Sequence, residues 1–158
     1  MEKFQITKQG FERLKSELEN LKNIERPKII SAIATAREHG DLKENAEYHS
    51  AKDKQGFIEA QISDLEDKFS RAEIVDVSQL SGTKVHFGAT VKLENLDSGK
   101  IVSYKIVSEF EANIDEGLIS AISPVARALI GKEIGAEVEI KTPGGEINYE
   151  ILEVKFIQ

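Results

Sequence analysis

The sequence contains no cysteine and no tryptophan, and only one methionine and three prolines in 158 residues. Without cysteine, the chain has neither a disulfide framework nor a thiolate metal or redox site. It also lacks any run of roughly 18 apolar residues, the length that a membrane-spanning helix needs. The first residues, MEKFQITKQGFERLKSELE, are charged throughout and hold no apolar core of a signal peptide. These absences predict a cytoplasmic protein with no membrane segment.

Charged residues make up 31% of the chain and hydrophobic residues 40%, a balance typical of a folded globular protein. The net charge of −7 argues against a protein that binds nucleic acid over its whole surface. The charge is also uneven, since residues 1–74 carry 13 Lys and Arg against 15 Asp and Glu, whereas residues 75–158 carry 8 against 13. Any contact with RNA is therefore predicted to come from a local basic patch in the first half.

Two stretches of the first half carry apolar or nearly apolar residues at alternating spacings of three and four, the repeat of a coiled-coil seam. The downstream seam consists of Ala51, Gln55, Ile58, Ile62, Leu65, Phe69 and Ala72. The upstream seam consists of Phe11, Leu14, Leu18 and Leu21, followed after a slip by Ile29, Ile33 and Ala36. Pro27 stands at the slip, where its missing backbone donor should kink or restart the helix.

A short polar break at residues 38–45 separates the two seams, so the pattern predicts an antiparallel helical hairpin over residues 1–75. With about 26 residues per arm, the hairpin reaches on the order of 40 Å. A small domain needs no element of that length for its own core.

The second half predicts an α+β domain over residues 85–158, after a linker at 76–84. Alternating segments at 88–96 and 100–108 flank Asp97-Ser98-Gly99, and a second pair at 136–141 and 147–156 flanks a turn with two glycines. Between the pairs, Ser123 suits a helix N-cap, Pro124 the first helical position and Gly131 the exit. The expected fold is an antiparallel sheet with one short helix.

The chemistry is concentrated at the hairpin turn, residues 37–48. Gly40 suits a left-handed exit from the first arm, and Asp41 and Glu44 stand three apart where the second arm is expected to begin. Spacing alone favours a capping box, in which Asp41 bonds a first-turn amide and Glu44 reaches back to the cap. In the other interpretation both carboxylates are ligands of Mg²⁺, which prefers oxygen donors. Two carboxylates hold Mg²⁺ poorly, so such a site would need completion by another macromolecule.

Two runs of sequence resemble signatures of the GreA/GreB transcript-cleavage factor family. The first is AREHGDLKENAEYHSAKDKQGF at residues 36–57, and the second comprises SPVARALIGKEIG at 123–135 and KTPGGE at 141–146. The resemblance extends over essentially the whole chain with no large insertion. It implies that the hairpin enters the secondary channel of bacterial RNA polymerase, while the C-terminal domain, which resembles an FKBP fold, docks at the channel rim.

The resemblance also implies an accessory role at the 3′ end of nascent RNA in backtracked complexes. Asp41 and Glu44 would help to hold the second Mg²⁺ of the polymerase and orient the attacking water, so the chain needs no cofactor of its own and is not itself an enzyme. Arg37 and Lys52 match the small basic patch of the family and are predicted to contact RNA phosphates. Asn45 and Tyr48 are expected to support the tip, and Ser123 and Pro124 to contact the polymerase. We expect a monomer.

Two alternatives from other classes stay open at this point. A related channel-binding regulator could bind the polymerase in the same way, yet position its acids differently and inhibit without promoting cleavage. A peptidyl-prolyl isomerase is suggested by the FKBP-like second domain alone. That activity needs an aromatic-lined pocket, whereas the second half has no Trp and only scattered Phe and Tyr, and it leaves the long hairpin without a purpose.

Overall fold

The computed structural model describes residues 2–157 and confirms an α+β fold in two compact units. The hairpin unit is Glu12–Arg71, and the sheet unit comprises the described residues before Glu12 and after Arg71. The division differs from the predicted boundaries, because residues 2–11 and 72–84 belong to the sheet unit. Within residues 2–157, no helix combines the length and the apolarity that crossing a membrane requires.

Three helices build the hairpin: α1 (Lys8–Asn20), α2 (Arg26–Arg37) and α3 (Ala46–Arg71). A π-helical turn at Leu21–Glu25 connects α1 to α2 at the predicted slip of the seam. Pro27 lies just after the π-helical turn, so its missing N–H falls where the helix changes from π to α hydrogen bonding. The helix therefore changes register at the slip and continues, which is how the two parts of the upstream seam can both face α3.

The seam prediction is confirmed through the middle of the hairpin. Its buried positions are Leu14, Ile29, Ile33, Ala36, Ile58, Ile62 and Leu65. The structure differs from the predicted seam at the downstream end, where Phe69 is 39% exposed and Ala72 belongs to a strand. The seam stops there because α3 ends at Arg71.

Ion pairs cross the hairpin beside the seam. The Arg26 guanidinium donates two hydrogen bonds of 2.7 Å to the two carboxylate oxygens of Glu59, and Lys22 Nζ lies 3.0 Å from Glu66 Oε2. The bond to Arg26 holds the pKa of Glu59 below its usual range, and the same bond raises the pKa of Arg26. These pairs connect the first arm to α3 on the surface beside the seam.

The main sheet of the sheet unit has five strands in the order β5-β4-β3-β7-β6. The strands are β3 (Thr90–Asn95), β4 (Ile101–Val107), β5 (Leu118–Ser120), β6 (Glu137–Thr142) and β7 (Gly145–Lys155). Both predicted hairpins form, as β3–β4 and β6–β7. The sheet is mixed and not wholly antiparallel, because the short edge strand β5 pairs parallel to β4.

The short helix α4 (Pro124–Leu129) forms where it was predicted. Ser123 Oγ accepts from the Ala126 amide at 3.3 Å, and Pro124 occupies the first turn. Gly131, which follows the C-cap residue of the helix, has a φ of 90°. Ala126 and Leu129 are fully buried in the core that α4 shares with the sheet. Capping and burial together explain why so short a helix is stable.

A second, two-stranded sheet joins the two ends of the hairpin sequence. The strands β1 (Phe4–Thr7) and β2 (Ala72–Val75) pair in parallel, which the sequence did not predict. The following segment, predicted as a linker, contains a 3-10 turn at Val77–Gln79, and Val77 is only 2% exposed. The segment is therefore packed into the sheet unit.

A buried carboxylate fastens the start of α1 within the sheet unit. Glu111 is 5% exposed and accepts hydrogen bonds from the Thr7 amide, the Thr7 hydroxyl, the Ser108 amide and the Ser108 hydroxyl. Thr7 Oγ1 in turn accepts from the Gly10 amide at 3.1 Å, so Thr7 also caps α1. Gly10 has no room for a Cβ, which would collide with the Glu111 carboxylate.

Candidate functional site

The tip of the hairpin is a turn between the end of α2 at Arg37 and the start of α3 at Ala46. Gly40 has a φ of 120°, a conformation that residues with a Cβ rarely adopt. The turn covers the predicted polar break at residues 38–45, but the second arm begins at Ala46 and not at Asp41. The residues between Gly40 and Ala46 consequently belong to no helix.

Asn45 is the residue that caps α3. Its Oδ1 accepts from the Tyr48 amide at 3.0 Å, and its carbonyl accepts from the His49 amide at 3.1 Å. Its Nδ2 donates to the Ala36 carbonyl at 2.7 Å, near the end of α2. One side chain thereby starts the second arm and ties it to the first.

The capping-box interpretation of Asp41 and Glu44 is therefore wrong. Asp41 lies five residues before α3, and its Oδ1 accepts from the Lys43 amide at 3.0 Å, an Asx turn within the tip. The Glu44 amide donates to the Asp41 carbonyl at 3.3 Å. Backbone bonds of the turn thus bring the two acids to one side of the tip without using either to start the helix.

Asp41 and Glu44 line one shallow, open depression at the tip, and both residues are exposed. The other lining residues are His39, Asn45, Ala46 and Glu47. Carboxylate oxygens suit a hard cation such as Mg²⁺, which needs further ligands beyond two acids. Across residues 2–157, no three His, Asp or Glu side chains are arranged to hold a metal ion. The two carboxylates could hold such a cation only together with further ligands from outside the chain.

The two predicted RNA-contacting residues, Arg37 and Lys52, line the same groove between α2 and α3. Arg37 Cζ lies 5.8 Å from the centroid of the Tyr48 ring, within the range of a cation–π contact. Lys52 Nζ donates to Gln55 Oε1 at 3.2 Å. Tyr48 itself is half-buried and packs against the apolar centre of the hairpin. Closure of the hairpin thus concentrates two cations on one face near the tip.

Ser123 and Pro124, the residues predicted to contact a partner, form the entrance of α4. Pro124 is exposed, whereas Ser123 is half-buried because its hydroxyl caps the helix. Ile122, which precedes them, is 55% exposed, and Ile130 after the helix is 39% exposed. The α4 entrance therefore presents an apolar surface that the sequence pattern did not single out.

Two family models match the chain in succession. The model described as "Transcription elongation factor, N-terminal" matches residues 4–74, and the model described as "Transcription elongation factor, GreA/GreB, C-term" matches residues 80–156. The chain belongs to the GreA/GreB family of transcription elongation factors. The tip lies inside the first match and α4 inside the second, so both candidate surfaces are parts of GreA/GreB domains.

Full-length relatives agree with the family models. The protein named Transcription elongation factor GreA from Thioalkalivibrio sulfidiphilus is 56% identical over 158 residues, 99% of this chain and 100% of the relative. Its namesake from Alkalilimnicola ehrlichii is 55% identical over 157 residues, 99% of each chain. Among solved structures, GreA factor homolog 1 of Thermus thermophilus is 32% identical, with 96% of this chain and 98% of that chain covered and a TM-score of 0.45.

Membership of the GreA/GreB family implies RNA polymerase as the partner, since an elongation factor acts on transcription. The relatives are named transcription elongation factors, and none of these names is that of an enzyme. The C-terminal match also favours an elongation factor over the isomerase alternative.

Sequence reasoning missed three residues that the structure adds to these GreA/GreB surfaces. Ile30 and Gln55 line the groove with Arg37 and Lys52, and His39 lines the acidic depression. Ile30 had a usable signal, because it stands one position beyond the seam residue Ile29 and so lies outside the buried seam. His39 had none, since its place depends on the path of the turn.

Proposed function

We propose that this chain stimulates the cleavage of backtracked RNA by RNA polymerase, with the hairpin tip entering the secondary channel. The supporting observation is the pair of exposed carboxylates, Asp41 and Glu44, on a turn where neither caps a helix. Carboxylates that are exposed and do not cap a helix can serve as ligands to a cation held mainly by a partner. The factor is proposed to act as a monomer and to have no complete catalytic site.

The residues at and near the tip have different proposed roles. Asp41 and Glu44 supply two oxygen ligands, and Asn45 fixes their turn to both helical arms. Arg37 and Lys52 hold phosphates of the extruded RNA 3′ end. The Mg²⁺ shared with the polymerase, when bound, activates water and neutralises developing charge in phosphodiester hydrolysis. Two added carboxylates raise the occupancy of a site that the polymerase alone fills weakly.

The sheet unit is proposed to dock at the rim of the channel through the entrance of α4. Pro124 and the exposed Ile122 provide an apolar contact, and Ser123 keeps the helix entrance in shape through its cap. An exposed apolar patch beside polar residues is typical of a protein–protein contact. Docking here would leave the hairpin to make the chemical contribution.

The test is cleavage of a stalled elongation complex that carries end-labelled, backtracked RNA, with wild type, Asp41→Asn or Glu44→Gln. Asn can keep the Asx turn at position 41, so the fold should be unaffected. A neutral amide is a poorer Mg²⁺ ligand, so the rate of cleavage should fall by roughly tenfold or more and recover partly with extra Mg²⁺ or Mn²⁺. Polymerase binding and the melting temperature should match wild type.

Glu47→Gln is the matched control, because Glu47 is an exposed acid in the same depression but lies on α3 beyond the turn. It should cleave like wild type. Normal cleavage by both Asp41→Asn and Glu44→Gln would refute the ligand role. Binding of wild type to polymerase with inhibition and no RNA fragments would establish the channel-binding regulator instead, and cleavage of naked RNA by the purified chain would make it an enzyme.

A further inference from the structure

Gly56 and Phe57 close the first sequence run that resembles the GreA/GreB family, yet the proposed function gives them no role. They are adjacent residues of α3, and both are exposed. Each is an unfavourable residue for its position when the chain is alone, and the physical reason differs between the two.

Gly56 lies in the interior of α3, where glycine destabilises a helix relative to alanine. Its φ is not positive, so the backbone does not require glycine. A Cβ built on Gly56 would meet no other part of the described chain within 4 Å, whereas at Gly10 it would collide with Glu111. Packing within the chain therefore gives no reason for a glycine at position 56.

Phe57 is 65% exposed, whereas the next residue, Ile58, is 3% exposed in the seam. Within the described residues, the apolar cluster of the hairpin is built without Phe57, so folding buries little of its ring. A single exposed apolar residue is common on protein surfaces and indicates nothing by itself. Here the ring stands beside a helix position without a side chain, where a second surface can approach the backbone closely. Aromatic residues are also enriched in protein–protein contacts.

The distance of these residues from the tip indicates which partner meets them. Phe57 lies about 16 Å along α3 from the first residue of the helix, Ala46, at the α-helical rise of 1.5 Å per residue. A channel that encloses the hairpin to a greater depth than this surrounds Gly56 and Phe57 as well as the tip. The partner that receives the tip is therefore also the partner that these two residues contact.

We propose that Gly56 and Phe57 form a docking point for RNA polymerase. The phenyl ring enters an apolar pocket in the wall of the secondary channel, and the polymerase surface packs against the bare helix at Gly56. The inference rests on the proposed function for the place of the hairpin in the channel. It adds a contact on the side of the second arm, separate from the tip and from the entrance of α4. This contact fixes the depth of the hairpin and hence the position of Asp41 and Glu44.

The first measurement is binding of the full chain to RNA polymerase by titration, with melting curves of the same variants. Phe57→Ser should weaken binding by about five- to tenfold, because the apolar contact is lost, and should melt close to wild type. Gly56→Ala should also weaken binding, because the new methyl group keeps the polymerase surface away from the helix. Its melting temperature should nevertheless rise, because alanine stabilises a helix interior.

Each variant has a matched control. Ile114 is also 65% exposed but lies in the sheet unit, so Ile114→Ser controls for Phe57→Ser. Ser63→Ala controls for Gly56→Ala, because it too places alanine at an exposed position of α3. Both controls should bind polymerase like wild type. Equal binding by Phe57→Ser and Ile114→Ser, or by Gly56→Ala and Ser63→Ala, would overturn the docking point.

Crosslinking identifies the molecule that contacts Phe57. A photoreactive phenylalanine analogue in place of Phe57 should crosslink to polymerase, and the same analogue in place of Ile114 should not. Crosslinks from position 57 to a second copy of the chain, or a wild-type dimer that Phe57→Ser dissociates, would overturn the proposal and assign these residues to self-association.

Binding and cleavage together separate this inference from the function on which it rests. If wild type stimulates RNA cleavage while Phe57→Ser binds polymerase normally, only the docking point fails. If Phe57→Ser binds polymerase weakly while wild type binds it but releases no RNA fragments, the docking point stands and the proposed cleavage role fails.

Discussion

The hairpin tip and the core of the sheet unit differ in how far their side chains are buried. Every residue from Arg37 to Glu44 is exposed, whereas the core of the sheet unit buries 14 residues in one cluster. The tip holds its shape through backbone turns and the Asn45 side chain, while the sheet holds its shape through apolar burial. The contrast indicates that substitutions at the tip can change its chemistry without changing the fold.

The largest expected effect is in the buried polar network of the sheet unit. In Glu111→Ala, the amides of Thr7 and Ser108 lose their acceptor in a buried site, which should lower the free energy of unfolding by about 3 kcal/mol. Chemical denaturation of the full chain measures the change. The control is Glu109→Ala, an exposed neighbour in the same 3-10 turn, which should shift stability by less than about 0.5 kcal/mol. Equal effects would show that the network contributes nothing.

A smaller and more local effect is expected where the tip depends on one side chain. Asn45→Ala removes the cap of α3 and the bond to Ala36, at a cost of about 1 kcal/mol. Hydrogen exchange of the Tyr48 amide should accelerate, while amides of the β3–β7 ladder should exchange as in wild type. Asn45→Ser restores an acceptor for the cap and should recover much of the protection. Unchanged exchange at Tyr48 in Asn45→Ala would refute the assigned cap.

The smallest effects come from two carboxylates whose pKa values are shifted in opposite directions, Glu59 in the hairpin unit and Glu146 in the sheet unit. The pKa of Glu59 is held low by its bond to Arg26, so its contribution is present above the unfolded-state pKa and is lost as pH falls through the folded-state value. A side-chain hydrogen bond with Glu139, and after it the repulsion between the two charges, raises the pKa of Glu146. The charged form of Glu146 therefore disfavours the fold at neutral pH, and this penalty disappears as pH falls through the raised value.

Glu59→Gln should therefore lower the melting temperature slightly at neutral pH, and Glu146→Gln should raise it slightly. Both differences from wild type should shrink in acid, which a series of melting curves across the acid range would measure. Glu139→Gln serves as the control for Glu146→Gln, since removing either member of the pair relieves the same repulsion. Shifts of the same sign for Glu59→Gln and Glu146→Gln would contradict the assigned interactions.

Periodic patterns in the sequence predicted most of the fold. The seam residues Ile29, Ile33, Ile58 and Ile62 are buried together, and the slip at Pro27 appears as a π-helical turn. The helix at Ser123 and both hairpins of the sheet also form as predicted. These features depend on residues close in sequence, or on a spacing that repeats often enough to dominate.

The pairing of strands from distant segments could not be predicted from the sequence. The β1–β2 ribbon joins strands of four residues that lie far apart in the chain, and β5 is a three-residue strand with a parallel partner. Strands so short carry too few alternating positions to predict their partners. The burial of Glu111 could not be predicted either, because a carboxylate is buried only where the tertiary structure supplies its hydrogen-bond donors.

For the tip, the sequence by itself determined which chemical groups are present: two acids next to Gly40, flanked by Arg37 and Lys52. Only the tertiary structure decided what those groups do locally. The Asp-x-x-Glu spacing fits a capping box, yet Asn45 takes the cap, and its amide also donates to the Ala36 carbonyl of the other arm. That bond exists only once the hairpin has closed, and the same closure brings Arg37 and Lys52 to one groove. Local sequence encodes turn preferences, whereas the choice among them is made by contacts between the arms.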